Sequence, residues 1–376
     1  MFRNWMARNW MARNWTSWNR TLPWHDRCPL RLQQALTALA LLCLSQPAAA
    51  QPAPDHGSSN GRPAVERLQH LQQGPREAAS RNLCEAEPDR VFVAHAEGSE
   101  CIAYVATAAG RPSLATPTVF FFDGDVPVVS ARRPDFSAIH IGRMRATLEA
   151  LAQGLRVRFV YVARPGVFGS SGDHGQRRRL KEMLSMNAAV DAIKARLGID
   201  AIVLAGQSGG ATVAAALLTL GRRDVVCAVL GSGGMLVTED ILHFRATSGE
   251  APTAPALIKR TYFDPGDRIA GIARYSGRRI FIVGDPGDTV VPFQHQRMFA
   301  ERLKAFGHAV VIVEIAAHGV NRHGVSHVTL PAAGRCALGA DDAGIGDPVG
   351  PVQAAPSPPP PALPLSRSQP DPRTRD

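Results

Sequence analysis

The chain has 376 residues, 45% hydrophobic and 20% charged, with a formal net charge of +10. That balance is globular and excludes a wholly disordered or collagen-like chain. The charge is uneven, because residues 1–31 hold six arginines against the single acidic residue Asp26, which is half of the excess.

Residues 1–50 read as a leader. They open on the tandem repeat "FRNW-MARNW-MARNW", which suggests a duplicated leader or an early start rather than a structural repeat. "LRLQQALTALALLCLSQPAAAQ" then offers Arg31, an apolar stretch of about ten residues and an Ala48-Ala49-Ala50 site, the pattern of a secretory signal peptide. The apolar run is short of the roughly 20 residues a spanning helix needs, so no integral membrane span is expected once the signal is removed. An exported protein, periplasmic or secreted, is the expectation. Residues 51–83 read as a linker and short helix, 84–339 as one α/β domain, and the Pro-rich 340–376 as a disordered tail.

Within the domain the elements alternate. "RVFVAHA" and "CIAYVATA" predict a hairpin turning at Glu97-Gly98-Ser99. A buried strand "TVFFFDGD", a helix over 136–154 stopped by Gly154, and a strand "RVRFVYVARPG" follow. "QRRRLK" at 176–181 has no interleaved aromatics and reads as a solvated helix start, so no nucleic-acid partner is expected. A helix stopped by Gly198, the strand "AIVLAG", a small-residue helix and the strand "VVCAVLGSGG" come next. Residues 234–277 break the rhythm and form a candidate cap. "RIFIVGD", the helix "FQHQRMFAERLKAFG" and the strand "AVVIVEIAA" close the domain. Continuous apolar strands imply a sheet covered on both faces, and strand–helix alternation implies a mostly parallel one, eight-stranded in total.

Four cysteines remain beyond the leader: Cys84, Cys101, Cys227 and Cys336. An even number in an exported chain permits two disulfides. Cys84 and Cys101 are placed to staple the hairpin base, while Cys227 reads equally as a buried thiol. There is no Cys-x-x-Cys pair, and neither metal nor other cofactor is expected.

In such sheets chemistry sits beyond the carboxyl ends of the strands. After "VLAG" stands Gly206-Gln207-Ser208-Gly209-Gly210. A serine on a sharp strand-to-helix turn adopts strained angles, and glycines two positions either side remove the bulk that would clash; this is the physical content of G-x-S-x-G. Ser208 is therefore the candidate nucleophile. A hydroxyl needs a base, and the base an orienting carboxylate. The loop after "RIFIVG" offers Asp285 and Asp288, of which Asp288 is favoured and Asp285 reads as a loop hydrogen-bonder. The segment "EIAAHGVNRHGVSH" offers His318 and His323, with His327 inside the next helix; loop reach favours His323 and leaves His318 open. The N–H groups of Gly209 and Asp125 are the candidate oxyanion donors, with the Asp125 side chain turned away. Arg164, in "ARPGVFGSSG", reads either as a pocket liner or as one side of a structural ion pair.

The order Ser208, Asp288, His323 and the elbow over residues 90–335 resemble the α/β-hydrolase superfamily. "DTVVPFQHQRMFAERLKAFGHAVVIVEIAAHG" is similar to the closing segment of prolyl-oligopeptidase-like hydrolases, and "ARPGVFGSSGDHGQRRR" resembles a segment of bacterial α/β hydrolases. "FFFDGD" replaces the His-Gly-Gly oxyanion sequence common in the peptidases. The resemblance implies a serine hydrolase acting on a small-molecule ester or peptide. A non-catalytic binding protein of the same fold and an acyltransferase are the alternatives, and the oligomeric state is left open.

Overall fold

The structure is a computed structural model that describes residues 80–108, 116–127 and 134–346. The expected leader, most of the linker and most of the Pro-rich tail lie outside the described residues.

Eight strands form one sheet in the order β1-β2-β4-β3-β5-β6-β7-β8. Helix α1 (Arg81–Glu85) precedes β1 (Arg90–His95) and β2 (Gly98–Ala106), the expected antiparallel hairpin. Strand β2 also pairs antiparallel with β4, and every later pairing is parallel. The chain runs through β3 (Thr118–Phe122), α2 (Pro134–Leu155), β4 (Phe159–Val162), α3 (Leu180–Leu197), β5 (Ile202–Gln207), α4 (Gly209–Thr219) and β6 (Val225–Gly231). Helices α5 (Val237–Ser248) and α6 (Pro255–Thr261) fill the stretch where the rhythm broke. Strand β7 (Arg279–Gly284), α7 (Phe293–Ala305), β8 (Ala309–Glu314), α8 (Ser326–Ala337) and α9 (Asp342–Gly346) complete it. This mostly parallel eight-stranded sheet between helices is the α/β-hydrolase fold that the sequence pattern implied.

The apolar runs are continuous because both faces of the sheet are covered. In β3, Phe120 and Phe122 join the core under α3 and α4, while Val119 and Phe121 join the core under α2 and α8. Burying each such side chain contributes about 1.5–3 kcal/mol. Two disulfides add cross-links: Cys84–Cys101 ties α1 to the hairpin, and Cys227–Cys336 ties β6 to α8. Cys227 is therefore not a plain thiol.

Helix ends follow local chemistry in one case and depart from it in another. Gly198 caps α3 in the left-handed region, φ 64°, where glycine meets no Cβ penalty. Gly154 does not stop α2; the helix continues to Leu155, and Arg156 turns it at φ 56°.

Candidate active site

Strand β5 delivers Ser208 to the sheet's carboxyl edge at φ 54°, ψ −121°, a conformation a non-glycine residue holds only under strain. The flanking glycines make that turn possible. A Cβ on Gly206 would overlap the backbone of Gly210, and one on Gly210 would overlap the carbonyl of Phe122 at the end of β3. Gly124 lies beneath the serine, where a Cβ would stand 3.3 Å from Ser208 Cβ and 3.9 Å from its Oγ.

The loop after β7 carries Asp288. One carboxylate oxygen, Oδ1, accepts the N–H groups of Val290 (2.8 Å) and Val291 (3.1 Å). The other, Oδ2, lies 2.8 Å from His323 Nδ1. The carboxylate is fully buried and the imidazole mostly so. Its far nitrogen, Nε2, is also buried and has no hydrogen-bond partner among the described residues. Ser208 Oγ and this Nε2 thus stand without the hydrogen bond that a serine–histidine relay uses; such contacts commonly tighten only with substrate in place.

Gln207 escaped the sequence reading, although it occupies the variable position just before the serine. Its Nε2 donates to the His323 carbonyl (2.9 Å), and its Oε1 accepts the Val325 N–H (3.0 Å). The strand end that presents Ser208 therefore also holds the histidine loop. A long amide side chain at the end of a buried strand was the available signal.

The remaining candidates fall elsewhere. His318 is exposed, and its ring stacks on His327 at 3.6 Å between centroids. His323 and His327 stand four residues apart, a spacing compatible with metal binding, but one ring is committed to Asp288 and the other to that stack. Among the described residues no group of three His, Cys, Asp or Glu side chains is arranged to hold a metal ion. Asp285 is fully buried and accepts the Gly287 and Ala317 N–H groups and the Arg322 guanidinium. Burial would raise its pKa, but these donors hold it below the ordinary carboxylate range.

On the other flank lies the loop after β3. Gly124 N–H donates to Asp123 Oδ1 (2.7 Å) and Val126 N–H to His174 Nε2 (3.4 Å). The Asp125 and Gly209 N–H groups donate to no acceptor among the described residues. The Asp125 carboxylate is turned into guanidinium groups: Arg164 Nη1 at 2.7 Å, Arg178 Nη1 at 2.7 Å and Arg177 Nε at 3.1 Å. Burial would push this carboxyl up, but the three arginines hold it well below its ordinary range. Arg164 is 2% exposed and also binds Glu182 (2.8 Å), so it is an ion-pair partner. The "QRRRLK" run is not a solvated helix start, since Arg177 is buried and Arg178 keeps 12% exposure.

No family model and no curated protein matches the chain. Solved structures similar to it include the Pyrococcus horikoshii acylaminoacyl peptidase, with 14% identity over 65% of this chain and a TM-score of 0.44. This chain spans 39% of that peptidase's length. The Pyrococcus furiosus esterase Pf2001 has 18% identity, covering 62% of this chain and 82% of that one, with a TM-score of 0.44. Est1E from Butyrivibrio proteoclasticus has 13% identity, covering 66% and 97%, with a TM-score of 0.45. Among the described residues no helix is long and apolar enough to cross a membrane.

Proposed function

We propose that the chain is an exported serine hydrolase that cleaves an ester or small amide bond through an acyl-enzyme on Ser208. The observation that carries this reading is a convergence. A serine strained at φ 54° lies over Gly124, and the residue before it is hydrogen-bonded to the loop whose histidine is paired with a buried aspartate.

In this reading Ser208 Oγ attacks the substrate carbonyl while His323 Nε2 takes its proton. Asp288 fixes the imidazole with Nδ1 protonated and stabilises the imidazolium that forms. The N–H groups of Gly209 and Asp125 receive the oxyanion, the first at the positive end of α4. His323 returns the proton to the leaving group, and water then attacks the acyl-enzyme with His323 again as base. The substrate is left unassigned.

The test is covalent labelling. A fluorophosphonate should modify Ser208, and Ser208→Ala should abolish labelling and lower p-nitrophenyl ester cleavage by roughly 10⁴-fold or more. Labelling that persists in the alanine variant removes Ser208 from the mechanism. Export is supported by the signal-like leader and the two disulfides. Cell fractionation should recover the protein outside the cytoplasm, cleaved near Ala50 and with no free thiol; a cytosolic, fully reduced protein would overturn that part.

A further inference from the structure

We infer that the Asp125 carboxylate, gripped by Arg164, Arg177 and Arg178, is a positioning group that holds its own backbone N–H beside Ser208 as an oxyanion donor. The inference rests on the serine-hydrolase reading. It gives a task to the segment 163–179, which the triad leaves unused.

Three observations carry it. First, the loop's amides are divided. Those of Gly124 and Val126 are taken by Asp123 Oδ1 and His174 Nε2, while the one between them, on Asp125, meets no acceptor among the described residues. Burial, with Arg164 next, holds the His174 ring well below its ordinary pKa, so the neutral ring can accept at Nε2. Second, the carboxylate is packed against the other donor. A Cβ on Gly209 would overlap Asp125 Oδ1 and stand 2.6 Å from Arg164 Nη1. Glycine at 209 leaves room for that carboxylate and guanidinium, and a larger residue there would have to displace them. Third, Arg164 spans the assembly. Its Nη1 reaches Asp125 Oδ1 at 2.7 Å and the Asp123 carbonyl at 3.5 Å, and its Nε reaches Glu182 on α3 at 2.8 Å. Arg178 adds a second anchor: its N–H donates to Glu182 Oε2 at 2.5 Å, and its own backbone is held at φ 62°.

The electrostatics are consistent with this role. A bare carboxylate one residue from an oxyanion would oppose the developing negative charge. Three guanidiniums face Asp125 and Glu182, and the Asp123 carboxylate of the same loop is turned to the Gly124 N–H and to His140. A merely structural ion-pair cluster would move stability alone. A positioning cluster moves the turnover step while leaving ground-state binding nearly untouched.

The test compares wild type, Asp125→Asn, Arg178→Gln and the double variant. Readouts are kcat and KM on p-nitrophenyl acetate, affinity for a trifluoromethyl ketone, and melting temperature. The ketone adds to Ser208 and forms a tetrahedral oxyanion, so it reports on the donors directly. Losing one oxyanion donor outright costs roughly 10²–10³ in kcat. Misplacing one should cost less, roughly 10–100-fold for Asp125→Asn, with KM within about threefold and ketone affinity falling in parallel. Arg178→Gln should lose roughly fivefold or more, and the double variant should be no worse than Asp125→Asn, because both act through one loop. If Asp125→Asn does not fold, the partly exposed Arg178→Gln decides alone. Folded variants with wild-type kcat and ketone affinity, or with a raised KM and intact kcat, overturn the inference. An active wild type with indifferent variants removes only the clamp; a wild type that neither labels nor cleaves removes the hydrolase reading beneath it.

Discussion

Among the described residues two of the three histidine–aspartate pairs have nearly the same length, the third being His140 and Asp123 at 3.1 Å. His323 and Asp288 meet at 2.8 Å, His295 and Asp240 at 2.7 Å. Their surroundings separate them. The free oxygen of Asp288 is filled by two backbone N–H groups, so the carboxylate is fixed in one orientation before the histidine arrives. The second oxygen of Asp240 is buried with no partner, and burial pushes that carboxyl up to about 6. The histidines differ too. His323 sits on a loop tied by Gln207 to the serine turn, with Nε2 unengaged. His295 sits on α7, ties that helix to α5, and meets the His243 ring edge-on at 5.6 Å. A short contact alone does not tell the two pairs apart; the backbone donors on Asp288 and the tie of the His323 loop to Gln207 do.

That contrast is most sharply broken by deleting each histidine. His323→Ala should lower kcat/KM by roughly 10⁴-fold or more, while His295→Ala and the stacked His318→Ala should remain within about threefold of wild type. Comparable losses at His323 and His295 would place both pairs in the chemistry. A smaller but parallel separation is expected at the acids. Asp288→Asn should cost roughly 10⁴-fold in kcat by favouring the wrong imidazole tautomer. Asp240→Asn should leave the ester rate within about threefold, measured under the same saturating substrate. A pH–rate profile of each variant distinguishes loss of the base from loss of the fold.

The two pairs also differ in how far the sequence announces them. Ser208 and Asp288 stand close behind unbroken apolar runs, and a strand buried on both faces can be recognised from its own residues. His323 comes only after a further loop beyond the half-exposed β8, which is why local pattern left His318 open beside it. Their meeting in space follows from strand order. The pair on α5 and α7 has no such marker, because a helical aspartate and histidine look like any solvated face. The clamp is hidden for the same reason. Arg164 lies 39 residues from Asp125 and Arg178 lies 53, so local pattern reads the arginine run as exposed. Cys227 and Cys336, 109 residues apart, escape in the same way. Gly154 misled because tertiary packing carried α2 one residue past it, leaving Arg156 to make the turn. What is local in this fold was legible; what depends on a partner far along the chain was not.

The smallest expected effect sharpens the comparison from the side of stability. Asp240 is raised to about 6 by burial, and His295 is raised by its hydrogen bond to Asp240. Both groups bind a proton more tightly folded than unfolded, so their linkage runs in one direction. The His295 contribution is complete below the ring's unfolded value and fades as pH rises through its folded one. Asp240 favours the folded state further as pH falls through about 6. At pH 7.5 Asp240 is ionised, and His295 is its hydrogen-bond partner on the Oδ1 side. His295→Ala leaves that buried carboxylate with neither oxygen engaged by a side chain, at a cost of about 1–3 kcal/mol. As pH falls through about 6 the carboxyl takes up a proton and this penalty is relieved, while the variant also lacks the low-pH stabilisation that the His295 ring gives wild type. The deficit should shrink where relief of the carboxylate exceeds that loss and grow where it does not. Urea denaturation of wild type and His295→Ala at pH 7.5 and pH 5 reads this directly. A deficit unchanged between the two would mean that the ring matters at that site through packing against His243, with no charge to compensate.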